Sequence, residues 1–292
     1  MNHSIAYIVD HASDIDEEIL EQHQVYSLPF GINFSHGHYI TGESIDRESL
    51  FEKMKEEIPT SSVCSLDRFD RILERIKERE IKNILIITMG HKFSSFHNFL
   101  KLYAQEKKDF NIYIFDSNAV SFAEGAYLVR ALDLERRGLS FEEICQGLEE
   151  MKDQDCVQVR AYFGSLDNLI RGGRINKRTG AIANALNIRP IVELSEGLMG
   201  VREKIRGEKR AYRYLLEEVK KSIDPEKKYY LSLLYGQGEK EKAKLEEVFK
   251  EEIAQADYYQ MVPLSPVVLV HSGPRVAGVV WACFDEEKGS SF

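Results

Sequence analysis

The chain has 292 residues, of which 43% are hydrophobic and 30% are charged, and its formal net charge is -9. Domains usually hold about 100–200 residues, so this length predicts two domains, and the apolar content excludes a disordered chain. The negative charge argues against broad binding to nucleic acid or to an anionic membrane surface.

The N-terminal sequence and the cysteines predict a cytoplasmic protein. The start, Met-Asn-His-Ser, lacks the positive leader of a signal peptide, and no stretch approaches the about 20 apolar residues of a membrane-spanning helix. We therefore expect no stable insertion into a membrane. The four cysteines form no Cys-x-x-Cys pair, which predicts reduced thiols and no zinc site. They are Cys64, Cys145, Cys156 and Cys283.

Short apolar runs alternate with amphipathic segments in the first half, the pattern of βαβ units in a parallel sheet. A first strand is expected over residues 4–9, ending at Asp10, and Ser13 with the acidic residues after it is expected to cap a helix. The later elements expected here are an extended segment at 25–34, helices at 46–55 and from 66 to 76, strands at 84–89 and 111–115 with a crossover helix between them, and a helix that begins at the capping box of Ser140 and Glu143.

The polar stretch 152–155 is the expected boundary between an N-terminal α/β domain, residues 1–155, and a C-terminal α/β domain with a mixed sheet, residues 156–292. The elements expected in the second domain are a strand at 157–163, a turn at Gly172 and Gly173, an Ala-rich helix around Ala181 to Leu186, a hairpin about Glu196 and Gly197, a strand at 229–235, a charged helix at 239–254, and strands near Met261, Val268 and Val280.

Polar residues follow several predicted strands or lie in tight loops, at 59–62, at 90–95 and at 116–117. Ligands of open parallel sheets bind at the carboxyl ends of strands, so these segments are candidates for one crevice. His271 follows a further apolar run, read as a strand. Simple structural roles compete with ligand contacts, because such serines commonly cap helices and aspartates at strand ends commonly order loops.

The order and spacing of these segments resemble the DegV family of bacterial fatty-acid-binding proteins over most of the chain. The segments that carry the resemblance are Ile8-Val9-Asp10-His11, Leu28-Pro29-Phe30, Pro59-Thr60-Ser61-Ser62-Val63-Cys64-Ser65, Gly90-His91-Lys92-Phe93-Ser94-Ser95-Phe96, Asp116-Ser117, Leu169-Ile170-Arg171-Gly172-Gly173-Arg174-Ile175, Leu186-Asn187-Ile188-Arg189-Pro190-Ile191, Lys204-Ile205-Arg206-Gly207 and His271-Ser272-Gly273-Pro274-Arg275. The chain departs from the family pattern near the expected head-group end, at His11, Gly90, His91, Ser95, Phe96 and Arg275.

The resemblance implies two α/β domains with a tunnel between them that holds one long-chain fatty acid. It implies no catalytic residue and no cofactor or metal. The roles that it carries onto this sequence are carboxylate contacts by Ser61, Ser62, Ser94 and His271, positions near the site at Asp10, Gly90, His91, Ser95, Asp116 and Gly273, and docking of an acyl kinase by Arg174 and Arg206. In such a system the kinase converts the bound fatty acid to an acyl phosphate for phospholipid synthesis.

The physical chemistry of a fatty acid agrees with this role. A carboxylate out of water costs several kcal/mol unless it is hydrogen-bonded, and each charge-assisted hydrogen bond returns roughly 1.5–3 kcal/mol. Each buried methylene contributes about 0.8 kcal/mol. Two other functions stay open: a hydrolase or acyl transferase with a triad of Ser94, His271 and Asp116, although no Gly-x-Ser-x-Gly elbow is present, and a regulator that binds another apolar acid.

Overall fold

A four-stranded parallel sheet organises the first of the two units into which the chain divides. The computed structural model describes residues 4–63, 65–175, 187–195 and 197–288. The first unit consists of Met1–Lys152 with Ser265–Val267, and the second of Asp153–Leu264 with Val268–Phe292. Within the described ranges, no helix has the length and apolar character needed to cross a membrane.

The parallel sheet has the strand order β2-β1-β6-β7, and a second, antiparallel sheet has the order β4-β3-β5. The strands of the first unit are β1 (Ile5–Asp10), β2 (Tyr26–Leu28), β3 (Gly31–Phe34), β4 (Gly37–Ile40), β5 (Thr60–Ser62), β6 (Asn83–Thr88) and β7 (Asn111–Asp116). Every residue of β1 is buried, as expected for a strand at the centre of a parallel sheet that is covered on both faces.

Among the described residues of the first unit, six helices accompany these strands. They are α1 (Glu17–Gln22), α2 (Arg47–Met54), α3 (Leu66–Glu78), α4 (Phe96–Ala104), α5 (Phe122–Arg136) and α6 (Phe141–Asp153). The predicted cap of α1 at Ser13 is wrong, because the Asp16 carboxylate accepts the Glu18 N–H at 3.0 Å and is the N-cap. The capping box of α6 is confirmed: the Ser140 N–H donates to Glu143 at 2.8 Å, and the Glu143 N–H donates to the Ser140 hydroxyl at 3.3 Å.

A six-stranded mixed sheet, in the order β10-β9-β8-β13-β11-β12, forms the second unit. The remaining elements in chain order are β8 (Val157–Phe163), α7 (Asp167–Arg171), β9 (Ile188–Ser195), β10 (Leu198–Arg206), α8 (Glu208–Ser222), β11 (Lys227–Tyr235), α9 (Glu239–Val248), α10 (Lys250–Gln255), β12 (Tyr258–Pro263), α11 (Pro266–Ser272) and β13 (Val276–Glu287). Trp281 on β13 and Tyr212 on α8 are fully buried in its core. The prediction of a parallel sheet followed by a mixed sheet is confirmed.

Two predictions in the second half are wrong. The apolar run around Val268 is helix α11 and not a strand, and Pro266 stands at its first position, where proline favours a helix start. The single helix expected at 239–254 is interrupted at the buried Phe249, which ends α9 and precedes α10. The hairpin between β9 and β10 is confirmed at Gly197. The helix expected around Ala181 to Leu186, and Glu196, lie outside the described residues.

Candidate functional site

The carboxyl ends of β1 and β6 are joined through the side chain of Asp10. One Asp10 carboxylate oxygen accepts the Ala12 N–H at 2.8 Å, and the other accepts the Met89 N–H at 3.0 Å. Asp10 is buried, and this burial raises its pKa to about 7 in spite of the two hydrogen bonds. Asp10 therefore orders the loops on which other predicted site residues lie, as aspartates at strand ends commonly do.

His91 and Asp116 form a pair across the ends of β6 and β7. The Asp116 carboxylate contacts His91 Nδ1 at 2.5 Å and accepts the His91 N–H at 3.2 Å. Partial burial acts to raise the pKa of Asp116, but hydrogen bonds from His91 and Asn118 outweigh burial and lower this pKa. At Gly90 a Cβ atom would lie 2.8 Å from the Asn118 carbonyl carbon, so the chain approaches too closely there for a side chain. The loop is thus tied to Asp116 at His91.

Ser94 lies just before helix α4. Its hydroxyl oxygen accepts the Phe96 N–H at 3.2 Å, which leaves the hydroxyl proton to be donated elsewhere. Ser94 is half-buried, whereas Ser95 is exposed and makes no capping hydrogen bond from its side chain. Ser94 is therefore the better placed of the two to hold a ligand that is itself partly buried.

Ser61 and Ser62 do not lie in a loop, as the sequence predicted, but on the short strand β5. They pair with Ile32 and Gly31 of β3. The Ser62 hydroxyl accepts a hydrogen bond from the Asn33 amide at 3.3 Å. This small sheet is linked to the Ser94 loop by Phe30, which precedes β3 and packs against Phe96 with the ring centroids 5.3 Å apart.

His11, which replaces a serine of the family pattern, hydrogen-bonds Thr41 through Nδ1 and Oγ1 at 2.7 Å. Burial lowers the pKa of His11 to about 4, so the imidazole is neutral at pH 7. The Thr41 hydroxyl also accepts the Phe30 N–H at 2.9 Å. Gly42 lies against the ring, since a Cβ there would be 2.8 Å from it. His11 thus connects the loop after β1 to the start of the small sheet.

Three acidic side chains are buried close to one another in the first unit: Asp10, Asp14 and Glu124. The sequence analysis did not identify Asp14 or Glu124. Asp14 accepts the Ser265 N–H at 2.8 Å and also a hydrogen bond from the Ser121 hydroxyl. Burial raises the pKa of Asp14 to about 6. Burial, followed by the charges of Asp10 and Asp14, raises the pKa of Glu124 well above its ordinary value. Burial and the two neighbouring carboxylates thus favour the protonated form of Glu124.

His271 of the second unit lies in the last turn of α11, against the turn that follows α7. Burial, and then the positive charge of Arg174, lowers the pKa of His271 to about 4. At Gly172 a Cβ would lie 2.5 Å from His271 Nδ1, so this turn leaves room for the imidazole only because residue 172 is glycine. The Asn168 amide donates to the Val270 carbonyl at 3.0 Å and holds the two segments together.

The remaining predicted positions of the second unit differ in exposure. Gly273 follows α11 with φ +75 and donates its N–H to the Leu269 carbonyl at 2.8 Å, which ends the helix. Arg206 at the end of β10 and Arg275 are exposed, whereas Arg174 is half-buried and donates to the Gly172 carbonyl. Arg174 and Arg206 are therefore in unlike environments.

Joined in one chain, the four-stranded parallel sheet and the six-stranded mixed sheet define a two-unit α/β protein with polar groups at the ends of its parallel strands. A family model described as uncharacterised protein, DegV family, matches residues 4–283. The chain belongs to the DegV family.

Curated relatives and solved structures agree with this family over nearly the whole chain. A DegV domain-containing protein of Clostridium acetobutylicum is 30% identical over 279 residues, covering 94% of this chain and 98% of the relative. A structure described as fatty acid binding of a DegV family protein from Thermus thermophilus superposes with a TM-score of 0.87 at 26% identity, covering 96% and 99% of the two chains. A structure described as DegV, a fatty acid binding protein from Bacillus subtilis, superposes with a TM-score of 0.84 at 25% identity, covering 96% of this chain and 99% of that chain.

Proposed function

We propose that this protein binds one long-chain fatty acid and presents its carboxylate to an acyl kinase. The observation that carries the proposal is the similarity, over 96% of the chain, to two DegV proteins that are described as fatty-acid-binding. Binding is the primary role, and the protein supplies no catalytic group of its own.

For the head group we propose hydroxyl donors from Ser61, Ser62 and Ser94 in the first unit and the imidazole of His271 in the second. The lowered pKa of His271 supports a neutral imidazole at pH 7, which donates one N–H and needs no proton from solvent. Two or three such hydrogen bonds, at roughly 1.5–3 kcal/mol each, offset much of the cost of removing a carboxylate from water. The acyl chain supplies the remaining affinity by apolar burial.

For docking of the kinase, Arg206 is the stronger of the two predicted arginines. It is exposed at the end of β10, where a partner with an acidic surface can reach it, and Arg171 is exposed as well. Arg174 is half-buried and acts electrostatically on His271. Replacement of Arg174 therefore affects the proposed head-group contact as well as docking, and only Arg206 can separate the two. Lys177 and Arg178, also part of this basic segment, lie outside the described residues.

A hydrolase with a Ser94, His271 and Asp116 triad is the weaker alternative. In a triad the carboxylate orients the base by accepting its Nδ1–H, but the Asp116 carboxylate is already engaged with His91. Turnover of a p-nitrophenyl ester that disappears in Ser94→Ala would favour the hydrolase over a carrier.

Mass spectrometry of the natively purified protein tests the proposal directly. We expect denaturing extraction to release one saturated or mono-unsaturated fatty acid per chain, and delipidated protein to take up oleate at one equivalent. Methyl oleate has the same tail and no carboxylate, so it should compete poorly. The absence of extracted lipid together with no uptake of oleate or palmitate would refute binding, and equal competition by methyl oleate would refute recognition of the carboxylate.

A further inference from the structure

Cys283 on β13 lies opposite Cys156, the residue that directly precedes β8 in the second unit. Strands β8 and β13 are antiparallel, with Ala282 opposite Val157. One further step along both strands places Cys283 opposite Cys156, and the Cys283 N–H donates to the Cys156 carbonyl at 3.1 Å. Residues that oppose each other in this way point to the same face of a sheet.

The spacing of such a pair suits a disulfide. The Cα atoms of a hydrogen-bonded antiparallel pair are typically about 5.5 Å apart, and the Cα atoms of disulfides lie about 4.4–6.8 Å apart. The Cβ atoms must approach by about 1–2 Å from their usual cross-strand separation in such a pair. Cys156 can make this movement because it precedes the first residue of β8 and follows the turn at Asp155, where φ is 51.

Each thiol contacts an oxygen atom of a nearby residue. Cys156 Sγ is 3.8 Å from the Gln154 amide oxygen, and Cys283 Sγ is 3.7 Å from the Ser222 carbonyl oxygen. Both cysteines are half-buried and both line one cleft of about 530 Å³. A small reagent in solvent can therefore reach the pair.

We propose that Cys156 and Cys283 form a reversible modification site, a dithiol that closes to a disulfide by exchange with a low-molecular-weight disulfide. The thiolate of one cysteine attacks a sulfur of the reagent, which breaks the reagent's S–S bond, releases one small thiolate and forms a mixed disulfide. The second cysteine then attacks the mixed disulfide and releases the other small thiolate. The protein loses two electrons and two protons, and one reagent disulfide becomes two thiols.

The environment of the two thiols sets the order of these attacks. Burial, followed by the neighbouring Cys156, raises the pKa of Cys283 to about 11, so Cys283 is a protonated thiol at pH 7. We assign the first attack to Cys156, because the thiolate is the nucleophile and the raised pKa of Cys283 disfavours the Cys283 thiolate. Cys283 resolves the mixed disulfide and gives its proton to the departing small thiolate. Cys145 differs from both, because it is buried on α6 of the first unit.

Closure has a measurable physical consequence. The bond joins the start of β8 to β13 across more than a hundred residues of chain, and a crosslink over a loop of this length removes much conformational freedom from the unfolded chain. The melting temperature should therefore rise on closure, by on the order of 5 °C.

The test uses the full chain and a series of buffers with increasing oxidised to reduced glutathione. We expect the intact mass to fall by about 2 Da as two hydrogens leave, a peptide map to join the segments of Cys156 and Cys283, and dithiothreitol to reverse both changes. Cys156→Ser should not form this bond, and Cys283→Ser should stop at a glutathione adduct on Cys156. Cys145→Ala should behave as the wild type.

Three results would overturn the proposal. These are no loss of mass at any buffer ratio, a disulfide that involves another cysteine, and wild-type protein that accumulates stable glutathione adducts at both positions instead of closing. Because the readout is the covalent state of the chain, none of these results depends on whether the protein binds a fatty acid.

Discussion

At the scale of single residues, the proposed head-group role of Ser94 can be tested by removing one oxygen atom. Ser94→Ala should weaken fatty-acid binding by roughly 1–3 kcal/mol, or about fivefold to a hundredfold in Kd, because a carboxylate loses a hydroxyl donor. The variant also loses the hydrogen bond from the Phe96 N–H, so a modest loss of stability is expected. Titration of delipidated protein with a fluorescent fatty acid measures the effect on binding.

Ser140→Ala is the matched control for Ser94→Ala. The Ser140 hydroxyl also accepts a backbone N–H just inside a helix start, that of Glu143, so its removal should carry a similar loss of stability. Ser140 has no proposed ligand contact. Equal affinities in Ser94→Ala and the wild type would move the head-group site away from Ser94.

The buried acid Glu124 gives a prediction about pH. Its raised pKa means that the folded chain keeps a proton that the unfolded chain releases above about pH 4.5. The contribution of this proton to the stability of the folded state is thus fully present below the unfolded pKa. It is lost as pH rises through the folded pKa. Each pH unit between these pKa values costs the wild type about 1.4 kcal/mol. Glu124→Gln should therefore be more stable than the wild type at pH 8, with a smaller difference at pH 5.

Thermal melts of both proteins at pH 5 and pH 8 measure this difference. Comparison with the wild type is needed because His11 and His271, with pKa values lowered to about 4, act in the opposite direction: their stabilisation is lost as pH falls from 6.5 to 4. Glu142→Gln, at an exposed position of α6, controls for the loss of an acid from the surface. A difference between Glu124→Gln and the wild type that does not change with pH would show that Glu124 is ionised in the folded state.

At the scale of elements, the fit between α11 and the turn after α7 predicts the effect of one methyl group. Gly172→Ala would place Cβ 2.5 Å from His271 Nδ1 and 3.1 Å from the Asn168 carbonyl oxygen, so the imidazole must move. If His271 donates to the carboxylate, affinity for fatty acid should fall roughly tenfold, the worth of one displaced hydrogen bond.

Gly200→Ala is the control for Gly172→Ala, since nothing lies within 4 Å of a Cβ added at this position of β10. The fatty-acid affinity and the melting temperature of both variants are to be compared. Unchanged affinity in Gly172→Ala, with a shift of the His271 imidazole seen by NMR, would remove His271 from the head-group site.

Elements differ in how plainly the sequence predicts them. The strands β1, β6 and β7 follow from short apolar runs, and α6 from its capping box. Helix α5 was missed because most of its faces are buried, so no 3.6-residue alternation of apolar and polar residues marks it. The run before His271 is too short for its period to distinguish a helix from a strand, and only Pro266 signals the helix.

Contacts between segments that are distant in sequence could not be predicted from the sequence alone. The approach of Glu124 to Asp10 depends on how α5 packs over the parallel sheet, and the pairing of Cys156 with Cys283 depends on the register of two strands. The sequence shows that His91 departs from the family pattern, but it does not show that His91 contacts Asp116. Individual segments thus predict element types and family, while side-chain partners require the fold.

At the scale of the whole molecule, the chain carries a net charge of -9, and Arg171 and Arg206 are exposed basic residues on it. On a protein with this charge, exposed arginines favour contact with an acidic partner surface, and such contacts mainly change the association rate and its salt dependence. Binding of lipid and delivery to the kinase should therefore be separable by replacing Arg206.

Arg206→Ala should leave the fatty-acid content at the wild-type level and slow ATP-dependent formation of acyl phosphate by an acyl kinase that accepts the wild-type protein. The deficit should be roughly two- to tenfold at low salt and should shrink as salt screens the attraction. Arg213→Ala removes another exposed charge, from α8 of the same unit, and should change the rate of acyl-phosphate formation very little. A loss of lipid in Arg206→Ala, or a wild-type rate at low salt, would show that Arg206 is only a solvated surface charge.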